Sequence, residues 1–516
     1  MTFPPLKASG ASSVRVVLRA ALSPSRTSTL TGLATAFVLL FVGACRPADP
    51  VADRVLTEEE QAQFHAPLSL AAWDEAGSWP QFGHDPLHTG ATDVELASRD
   101  LKLVWQFRPT KHVWSYREEY SAWSTPVVGT IGDRTLVIAG HYDRVVYAVD
   151  GATGQPAWTF RPGACVFASP ALGHVQGRPM VFLAAINRSV YGLDAASGNK
   201  IWQFEAMPWS FTEAETFMSS PTLVRHGERI VLLVGVWIAD RSAARNVQSG
   251  ELIALDAADG SLIWRKRLAS VRLTSPAVAR LGGQTLVFVS AHHGSVWALD
   301  LADGSTLWQA VLNEETRSSP SIGLVDDVAR LFVGTRFHSV FGLDPLSGAR
   351  RWRHQTGYWI DATPSWVRWQ GRTSLVVGSY DRAFYCLDGS SGQRQWHHTT
   401  GNFAYSSAAW ARLGGRPVAL AMSWDEHLYL LDGGSGQVLW KAASGPLIWS
   451  HANQGDSLWA SPVVALVGGQ PRVLAAALDG VLYAYGPSEP VQVTQRGTAA
   501  RGTTADGTAT RNGPSD

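Results

Sequence analysis

The sequence predicts an all-β fold: an eight-bladed β-propeller of four-stranded antiparallel blades. The main observation is a repeated motif in which an Asp is followed by Gly four residues later and by Trp eight residues later. Its Asp residues stand 44 residues apart from Asp256 to Asp432, which is the length of a propeller blade. The composition agrees, because 49 Gly, 27 Pro and 22 Trp with only 17% charged residues indicate many turns and a large aromatic content.

Each repeat is interpreted as a hairpin inside one blade. A short apolar run ends in the Asp, whose side chain opens a turn, and the Gly supplies a left-handed backbone that other residues resist. The Trp lies on the returning strand. The strand that ends in the Asp carries a small residue two positions before it, which is expected to let the Trp of a neighbouring blade lie flat against that strand. The Trp residues predicted to dock the blades are Trp105, Trp158, Trp202, Trp264, Trp308, Trp352, Trp396 and Trp440.

The two ends of the repeat region complete each other. Trp105 has no preceding Asp hairpin, and the terminal strand at residues 482–485 has no Trp after it. We therefore expect the N-terminal strand to pair with the last blade, which closes the ring and leaves no open sheet edge.

The N-terminal region predicts a lipoprotein signal peptide. Residues 1–32 carry four basic residues and no acidic one, and an apolar run at 33–42 is too short to span a bilayer permanently. The run ends in Val42-Gly43-Ala44-Cys45, which resembles the lipobox of bacterial lipoproteins and implies acylation of Cys45. Since Arg46 follows the cysteine, the resemblance implies a periplasm-facing position at the outer membrane. The alternative is an ordinary signal peptide cleaved near Ala44.

Composition shifts divide the rest of the chain. We predict a signal peptide at 1–44, a tether at 45–78 with one short helix from Glu58, a pre-propeller strip at 79–100, the propeller at 101–486 and a disordered tail at 487–516. In the strip, Trp79, Phe82 and Leu87 are expected to cover exposed blade ends.

Charge and cysteine content exclude several functions. Because 43 basic residues balance 43 acidic ones, the charge gives no reason to expect binding to nucleic acid. We expect a monomer that contacts the membrane only through its lipid anchor. Three cysteines are too few for a disulfide framework. We find no catalytic constellation and no metal motif, so we predict no catalytic residue, no metal and no cofactor.

Insertions into the repeat predict a binding face. In a four-stranded meander, the loops between blades and the loops between second and third strands emerge on one face, which we call the decorated face. Its insertions are rich in aromatic residues, which suit protein or carbohydrate partners, unless the loops pack on each other and fill the mouth of the central channel. Arg317 and Asp361 occupy equivalent slots there and are expected to pair. The candidate binding residues are Trp114, Tyr116, Tyr120, Trp123, Trp209, Phe211, Trp237, Arg317, Asp361, Tyr405, Trp449 and Trp459.

The units YAVDGATGQPAW (147–158) and FYCLDGSSGQRQW (384–396) resemble the quinoprotein-like (PQQ-like) β-propeller repeat family. That family includes BamB-like outer-membrane lipoproteins, which are scaffolds without a cofactor, and dehydrogenases that use pyrroloquinoline quinone (PQQ) with calcium. The lipobox and the compact blades favour the scaffold. The leading hypothesis is a non-catalytic lipoprotein scaffold that binds proteins of the cell envelope, with outer-membrane protein assembly as the implied process. The alternatives are a PQQ-dependent dehydrogenase or redox companion with calcium, and a carbohydrate-binding propeller.

Overall fold

The structure, a computed structural model, describes residues 53–65, 77–109, 124–206, 214–240, 247–269, 274–443, 460–477 and 480–487. The predicted signal peptide, Cys45 and nearly all of the predicted tail lie outside these residues. Within them, no helix has the length and apolarity needed to cross a membrane.

A docked segment precedes the propeller. Helix α1 (Glu58–His65) begins in a capping box, in which the Glu60 amide donates to the Thr57 hydroxyl at 3.2 Å and the Thr57 amide donates to the Glu60 carboxylate at 3.0 Å. Phe64 is fully buried, and Asp53 accepts two hydrogen bonds from Arg330. Part of the segment predicted as a tether is therefore packed against the propeller. Strand β1 (Ala91–Leu96) lies within the predicted strip, and β2 (Leu101–Phe107) follows it.

Blades 1 to 4 follow in chain order. Blade 1 contains β3 (Val127–Ile131), β4 (Arg134–Gly140), β5 (Val146–Asp150) and β6 (Pro156–Phe160). Blade 2 contains β7 (Ala171–Val175), β8 (Arg178–Ala185), β9 (Ser189–Asp194) and β10 (Lys200–Glu205). An extra strand, β11 (Ala214–Met218), precedes blade 3, which contains β12 (Thr222–His226), β13 (Arg229–Asp240), β14 (Val247–Asp256) and β15 (Leu262–Ala269). Blade 4 contains β16 (Ala277–Leu281), β17 (Gln284–Ala291), β18 (Ser295–Asp300) and β19 (Thr306–Val311).

Blades 5 to 8 complete the ring. Blade 5 contains β20 (Ser321–Val325), β21 (Val328–Gly334), β22 (Ser339–Leu343) and β23 (Arg350–Gln355). Blade 6 contains β24 (Ser365–Trp369), β25 (Arg372–Ser379), β26 (Ala383–Asp388) and β27 (Arg394–Thr399). Blade 7 contains β28 (Ala409–Leu413), β29 (Arg416–Ser423), β30 (His427–Asp432) and β31 (Val438–Ala443), with β1 parallel to β28. Blade 8 contains β32 (Val463–Val467), β33 (Gln470–Ala476), β34 (Leu482–Pro487) and the N-terminal strand β2.

The eight four-stranded antiparallel blades and their closure confirm the predicted fold. Strand β2 pairs antiparallel with β34, from Leu101 opposite Pro487 to Phe107 opposite Leu482. One insertion into the repeat lies in blade 3, where it lengthens a hairpin: β13 and β14 extend to Asp240 and Val247, and β11 pairs with the extended part of β13. This insertion therefore adds sheet to the decorated side of the blade.

The repeated Trp residues join successive blades. The indole N–H of Trp352 donates to the backbone carbonyl of Gly389 in the next blade at 3.0 Å. Six further pairs make the same bond at 2.7 to 3.1 Å: Trp105–Gly151, Trp158–Ala195, Trp202–Ala257, Trp264–Leu301, Trp308–Pro345 and Trp396–Gly433. The eighth, Trp440, contacts the ring of Tyr485 in blade 8 at a centroid distance of 5.4 Å.

Two glycines surround the indole of Trp352. Gly392 in the next blade has a φ of +69°, and a Cβ added there would overlap the indole. Gly342, opposite Trp352 in its own blade, leaves room for the other side of the ring. The expectation that the small residue accommodates the Trp of a neighbouring blade is therefore wrong: it accommodates the Trp of its own blade, while the neighbour supplies the turn glycine.

Residues 77–90, which include the first part of the predicted strip, cross the centre of the propeller and bond to every blade. Backbone carbonyls accept one first-strand amide at 2.7 to 3.0 Å in seven pairs: Trp79–Val128, Pro80–Leu172, Pro86–Val278, Leu87–Ile322, Thr89–Trp366, Gly90–Trp410 and Gly77–Leu466. The Gln81 side chain accepts from Leu223 in blade 3 at 3.0 Å. First-strand edges that would otherwise face the centre unpaired are thus satisfied. The strip fills the centre rather than covering the blade ends, which corrects the expectation for Trp79 and Leu87.

A ring of hydroxyl groups lies beside this strip, one residue before the slot that a first-strand Pro occupies in most repeats. Its members are Thr125, Ser169, Ser220, Ser275, Ser319, Thr363, Ser407 and Ser461. The amide of one member donates to the hydroxyl of the next blade's member at 2.9 to 3.2 Å in five pairs: Ser169–Ser220, Ser220–Ser275, Ser275–Ser319, Thr363–Ser407 and Ser461–Thr125. These bonds link neighbouring blades near the centre, as the Trp residues do further out.

Candidate functional site

The decorated face is held together by one recurring backbone bond. After the fourth strand of a blade, the chain returns and donates an amide to the loop between the second and third strands. Thr356 donates to the His338 carbonyl and Thr400 to the Arg382 carbonyl, each at 2.7 Å. Ala206 and Leu312 make the equivalent bonds in blades 2 and 4. The two loop types therefore emerge on the same side, as the meander geometry requires.

Most of the predicted binding residues cannot be placed on this face. Trp114, Tyr116, Tyr120, Trp123, Trp209, Phe211, Trp449 and Trp459 lie outside the described residues. The other four are Trp237, Arg317, Asp361 and Tyr405, and none presents a large exposed surface. Trp237 is 8% exposed within the extended β13–β14 hairpin, and Tyr405 is 5% exposed beneath Trp424. A binding role for the predicted set stays a prediction.

A buried ion pair closes the described part of the channel mouth, but its partners differ from those expected. Both carboxylate oxygens of Asp361 accept from Arg336, at 2.8 and 2.7 Å, and the Asp361 side chain is 2% exposed. Arg317 instead donates to Glu315 at 3.1 Å. The predicted pairing of Arg317 with Asp361 is therefore wrong, because Arg336 reaches the same carboxylate from the second-to-third strand loop of blade 5.

Burial and the nearby charge of Arg336 lower the pKa of Arg317 below its usual value. The Nη1 atom of Arg317 is buried and has no hydrogen-bond partner among the described residues. Further out, Arg353 forms an ion pair with Glu314 at 2.6 Å. Every described carboxylate in this cluster thus already has a cationic partner.

These carboxylates do not fit the calcium that the dehydrogenase alternative requires. Ca²⁺ takes six to eight oxygen ligands, several of them from carboxylates. Asp361 accepts hydrogen bonds from Arg336 at both oxygens and Glu315 accepts from Arg317 at one, so a cation would have to compete with two guanidinium groups. Across the described residues, no group of three or more His, Cys, Asp or Glu side chains is placed to hold a metal ion.

A four-layer stack of planar side chains dominates the decorated face at blades 5 and 6. His338 stacks on Tyr358 at a centroid distance of 5.3 Å, and Tyr358 stacks on Trp359 at 4.9 Å. The guanidinium of Arg336 lies 4.6 Å from the centroid of the Trp359 ring. Cation–π and stacking contacts of this kind add to the burial of the rings. The stack ties the second-to-third strand loop of blade 5 to the loop that leads into blade 6.

Tyrosine–aspartate pairs fix the neighbouring loops. Tyr385 donates to Asp381 at 2.6 Å, and Asp381 also accepts the amide of Gly357, which begins the loop carrying Tyr358. Burial first, and then the bond to Asp381, raise the pKa of Tyr385 to about 12, so the phenol stays protonated as a donor. Tyr429 and Asp425 repeat the pair in blade 7 at 2.5 Å.

The sequence carries a signal for these pairs that the Asp-Gly-Trp spacing alone does not reveal. An aromatic residue followed by Asp, with Tyr four residues after the Asp, recurs at 142–147, 380–385 and 424–429. When the repeats are superposed on their Asp-Gly-Trp motif, all three occurrences fall in the same loop of their blades.

Comparison with known proteins places the chain in a sequence family. The family model described as outer membrane protein assembly factor BamB matches residues 93–235, 233–358 and 292–507. Among curated proteins, none matches the chain.

Solved structures share the fold at low sequence identity. Quinohemoprotein alcohol dehydrogenase from Comamonas testosteroni is 14% identical, with a TM-score of 0.61 over 85% of this chain and 84% of that one. A europium-containing methanol dehydrogenase is 13% identical, with a TM-score of 0.59 over 81% of this chain and 99% of that one. BamB from Moraxella catarrhalis is 15% identical, with a TM-score of 0.48 over 76% of this chain and 100% of that one.

Proposed function

We propose that this chain, which belongs to the family described as outer membrane protein assembly factor BamB, is a non-catalytic scaffold that binds protein partners of the cell envelope through its decorated face. We further propose that it is a monomer anchored through Cys45 at the outer membrane, facing the periplasm, and that it works without a cofactor and without nucleic acid. Outer-membrane protein assembly is the process in which we place it, on the strength of the family.

One observation carries the proposal: each described carboxylate at the channel mouth is paired with an arginine of the protein itself. Asp361 is held by Arg336, Glu315 by Arg317, and Glu314 by Arg353. Reactive centres need groups with free lone pairs or shifted proton affinities aimed at a substrate. Here the paired groups brace loops instead, which suits a rigid binding surface.

The filled centre supports the same conclusion. Residues 77–90 present carbonyl oxygens to first strands around the whole ring, so the centre is occupied by the protein's own backbone. We therefore place the interaction outside the centre, on the side-chain surface of the decorated face.

The dehydrogenase alternative rests on the fold shared with the two enzymes, and low identity carries no chemistry with it. It requires a cation to bind beside carboxylates that already pair with Arg336 and Arg317.

The deciding experiment is purification of the full chain from its own cells in mild detergent, followed by mass spectrometry of retained proteins and of extracted small molecules. Recovery of the same envelope proteins in replicate purifications, with Cys45 carrying lipid, supports the proposal. Recovery of stoichiometric PQQ or a cytochrome would overturn it, and so would the absence of any retained protein.

A further inference from the structure

We infer that Phe337, at the tip of the second-to-third strand loop of blade 5, is a preorganised anchor that inserts into an apolar pocket on an uncharged surface of a protein partner. The inference rests on the proposed function and names the contact by which the decorated face binds. A single exposed aromatic side chain needs no explanation by itself. The frame around Phe337 is what distinguishes it from the other exposed apolar residues.

Both neighbours of Phe337 in the sequence are locked into the planar stack. Arg336 lies over Trp359 and is held by the buried carboxylate of Asp361, while His338 stacks on Tyr358. His338 has a φ of +65°, a left-handed conformation that is uncommon for a residue other than Gly. With both neighbours turned into the stack, the ring of Phe337 is left outside it and is 58% exposed.

Hydrogen bonds fix the backbone of this turn at both ends. Thr335 donates its amide to the Ser339 carbonyl at 2.8 Å, and the Ser339 hydroxyl donates to the Phe337 carbonyl at 3.2 Å. Arg336 donates its amide to the Glu315 carbonyl at 2.7 Å, which joins the turn to the loop from blade 4. A ring presented on a turn this constrained loses little backbone entropy when it binds, and this favours affinity.

The described frame of Phe337 combines an exposed aromatic side chain with paired charges. Tyr358, stacked on His338, is 40% exposed. The three nearby arginines each have a carboxylate partner: Arg336 with Asp361, Arg317 with Glu315, and Arg353 with Glu314.

This charge balance selects the class of partner. Anionic lipid headgroups and nucleic acid bind through unpaired Lys and Arg, whereas Arg336, Arg317 and Arg353 are each paired. The surface around Phe337 is therefore complementary to a protein surface that has an apolar pocket and no unpaired charge. Aromatic anchors in desolvated pockets, surrounded by contacts that exclude water, are the typical centres of such interfaces.

The test places the photo-crosslinking amino acid p-benzoylphenylalanine at position 337 of the full lipidated chain in its own cells. The matched control carries it at Leu346, which is 40% exposed in the same blade but lies in the turn between the third and fourth strands, on the opposite face. We expect position 337 to crosslink to a protein that co-purifies with the wild-type chain, at an uncharged apolar segment, and position 346 to leave that protein uncrosslinked.

Substitution gives the quantitative arm of the test. Phe337→Ser is expected to weaken binding of the crosslinked protein about 30-fold, the effect of a hot-spot side chain, with the melting temperature unchanged. Leu346→Ser is expected to keep wild-type affinity. Retained affinity in Phe337→Ser, crosslinking to lipid, or crosslinking only to a second copy of this chain would overturn the anchor. A wild-type chain that retains no protein at all would instead overturn the proposed function, so the two failures are distinguishable.

Discussion

The turn glycine under each docking Trp gives the sharpest stability prediction. Gly392 and Gly371 both lie in blade 6 and both have left-handed backbones, with φ of +69° and +78°. A Cβ at Gly392 would overlap the Trp352 indole, whereas a Cβ at Gly371 would meet nothing within 4 Å. The pair therefore separates the cost of the backbone conformation from the cost of losing the contact between blades 5 and 6.

An L-residue in the left-handed region costs roughly 1 to 2 kcal/mol, and this is the whole cost expected for Gly371→Ala. Gly392→Ala adds overpacking, about 1 to 3 kcal/mol, and threatens the bond from Trp352 to Gly389, about 1 kcal/mol. We expect it to lower the free energy of unfolding by about 3 to 6 kcal/mol in total.

Urea unfolding followed by circular dichroism measures both variants. In a Trp352→Leu background, which removes the indole, the cost of Gly392→Ala should fall to that of Gly371→Ala. Equal effects of the two glycine substitutions in the wild-type background would refute the account of blade docking.

Three further changes test other parts of the structure. Ser275→Ala removes the acceptor of the buried Ser220 amide in the hydroxyl ring and should cost about 1 to 2 kcal/mol in urea unfolding, whereas the exposed Ser305→Ala should cost less than about 0.5 kcal/mol. Asp361→Asn should lower the free energy of unfolding by about 3 kcal/mol, because it removes the carboxylate that binds Arg336 in a buried site. Asp327→Asn, which breaks an exposed pair with Arg368, should lower it by less than about 1 kcal/mol. Equal losses in the two variants would count against a stabilising role of the buried pair. Burial lowers the pKa of His88 from the ordinary 6.5 to about 4, so the unfolded chain takes up this proton first and stability should fall by about 2 kcal/mol between neutral pH and about pH 5. Melting temperatures across that range should fall less steeply in His88→Asn than in the wild type, and parallel curves would contradict the assignment.

The sequence predicted the blades well because the repeat is local and periodic. The Asp turn, the Gly and the Trp interact within one hairpin or with the next, so their spacing alone indicates strand order and closure. The pairing of β2 with β34 followed from one unmatched Trp and one unmatched strand. Fold and topology were therefore accessible without side-chain geometry.

The path of the strip and the partners in the ion pairs could not be predicted from the sequence in the same way. The strip bonds mainly through backbone carbonyls, which every residue has, so its sequence carries no pattern that indicates the centre of the ring. The repeat predicted that Arg317 and Asp361 occupy equivalent positions in adjacent blades. The position of a residue in the repeat does not determine which arginine side chain contacts the Asp361 carboxylate. Arg336 approaches from another loop, and that direction is set by its stacking on Trp359. Phe337 was not predicted for the same reason, since its exposure follows from where its neighbours turn.

The central claim is that the decorated face binds a protein, and hydrogen–deuterium exchange of the purified chain, free and in its native complex, tests it most directly. We predict that slowed exchange in the complex concentrates at residues 312–317, 335–339 and 356–361, which form the frame of Phe337. Unchanged exchange in these segments, with protection confined to the turns of the opposite face, would contradict the claim.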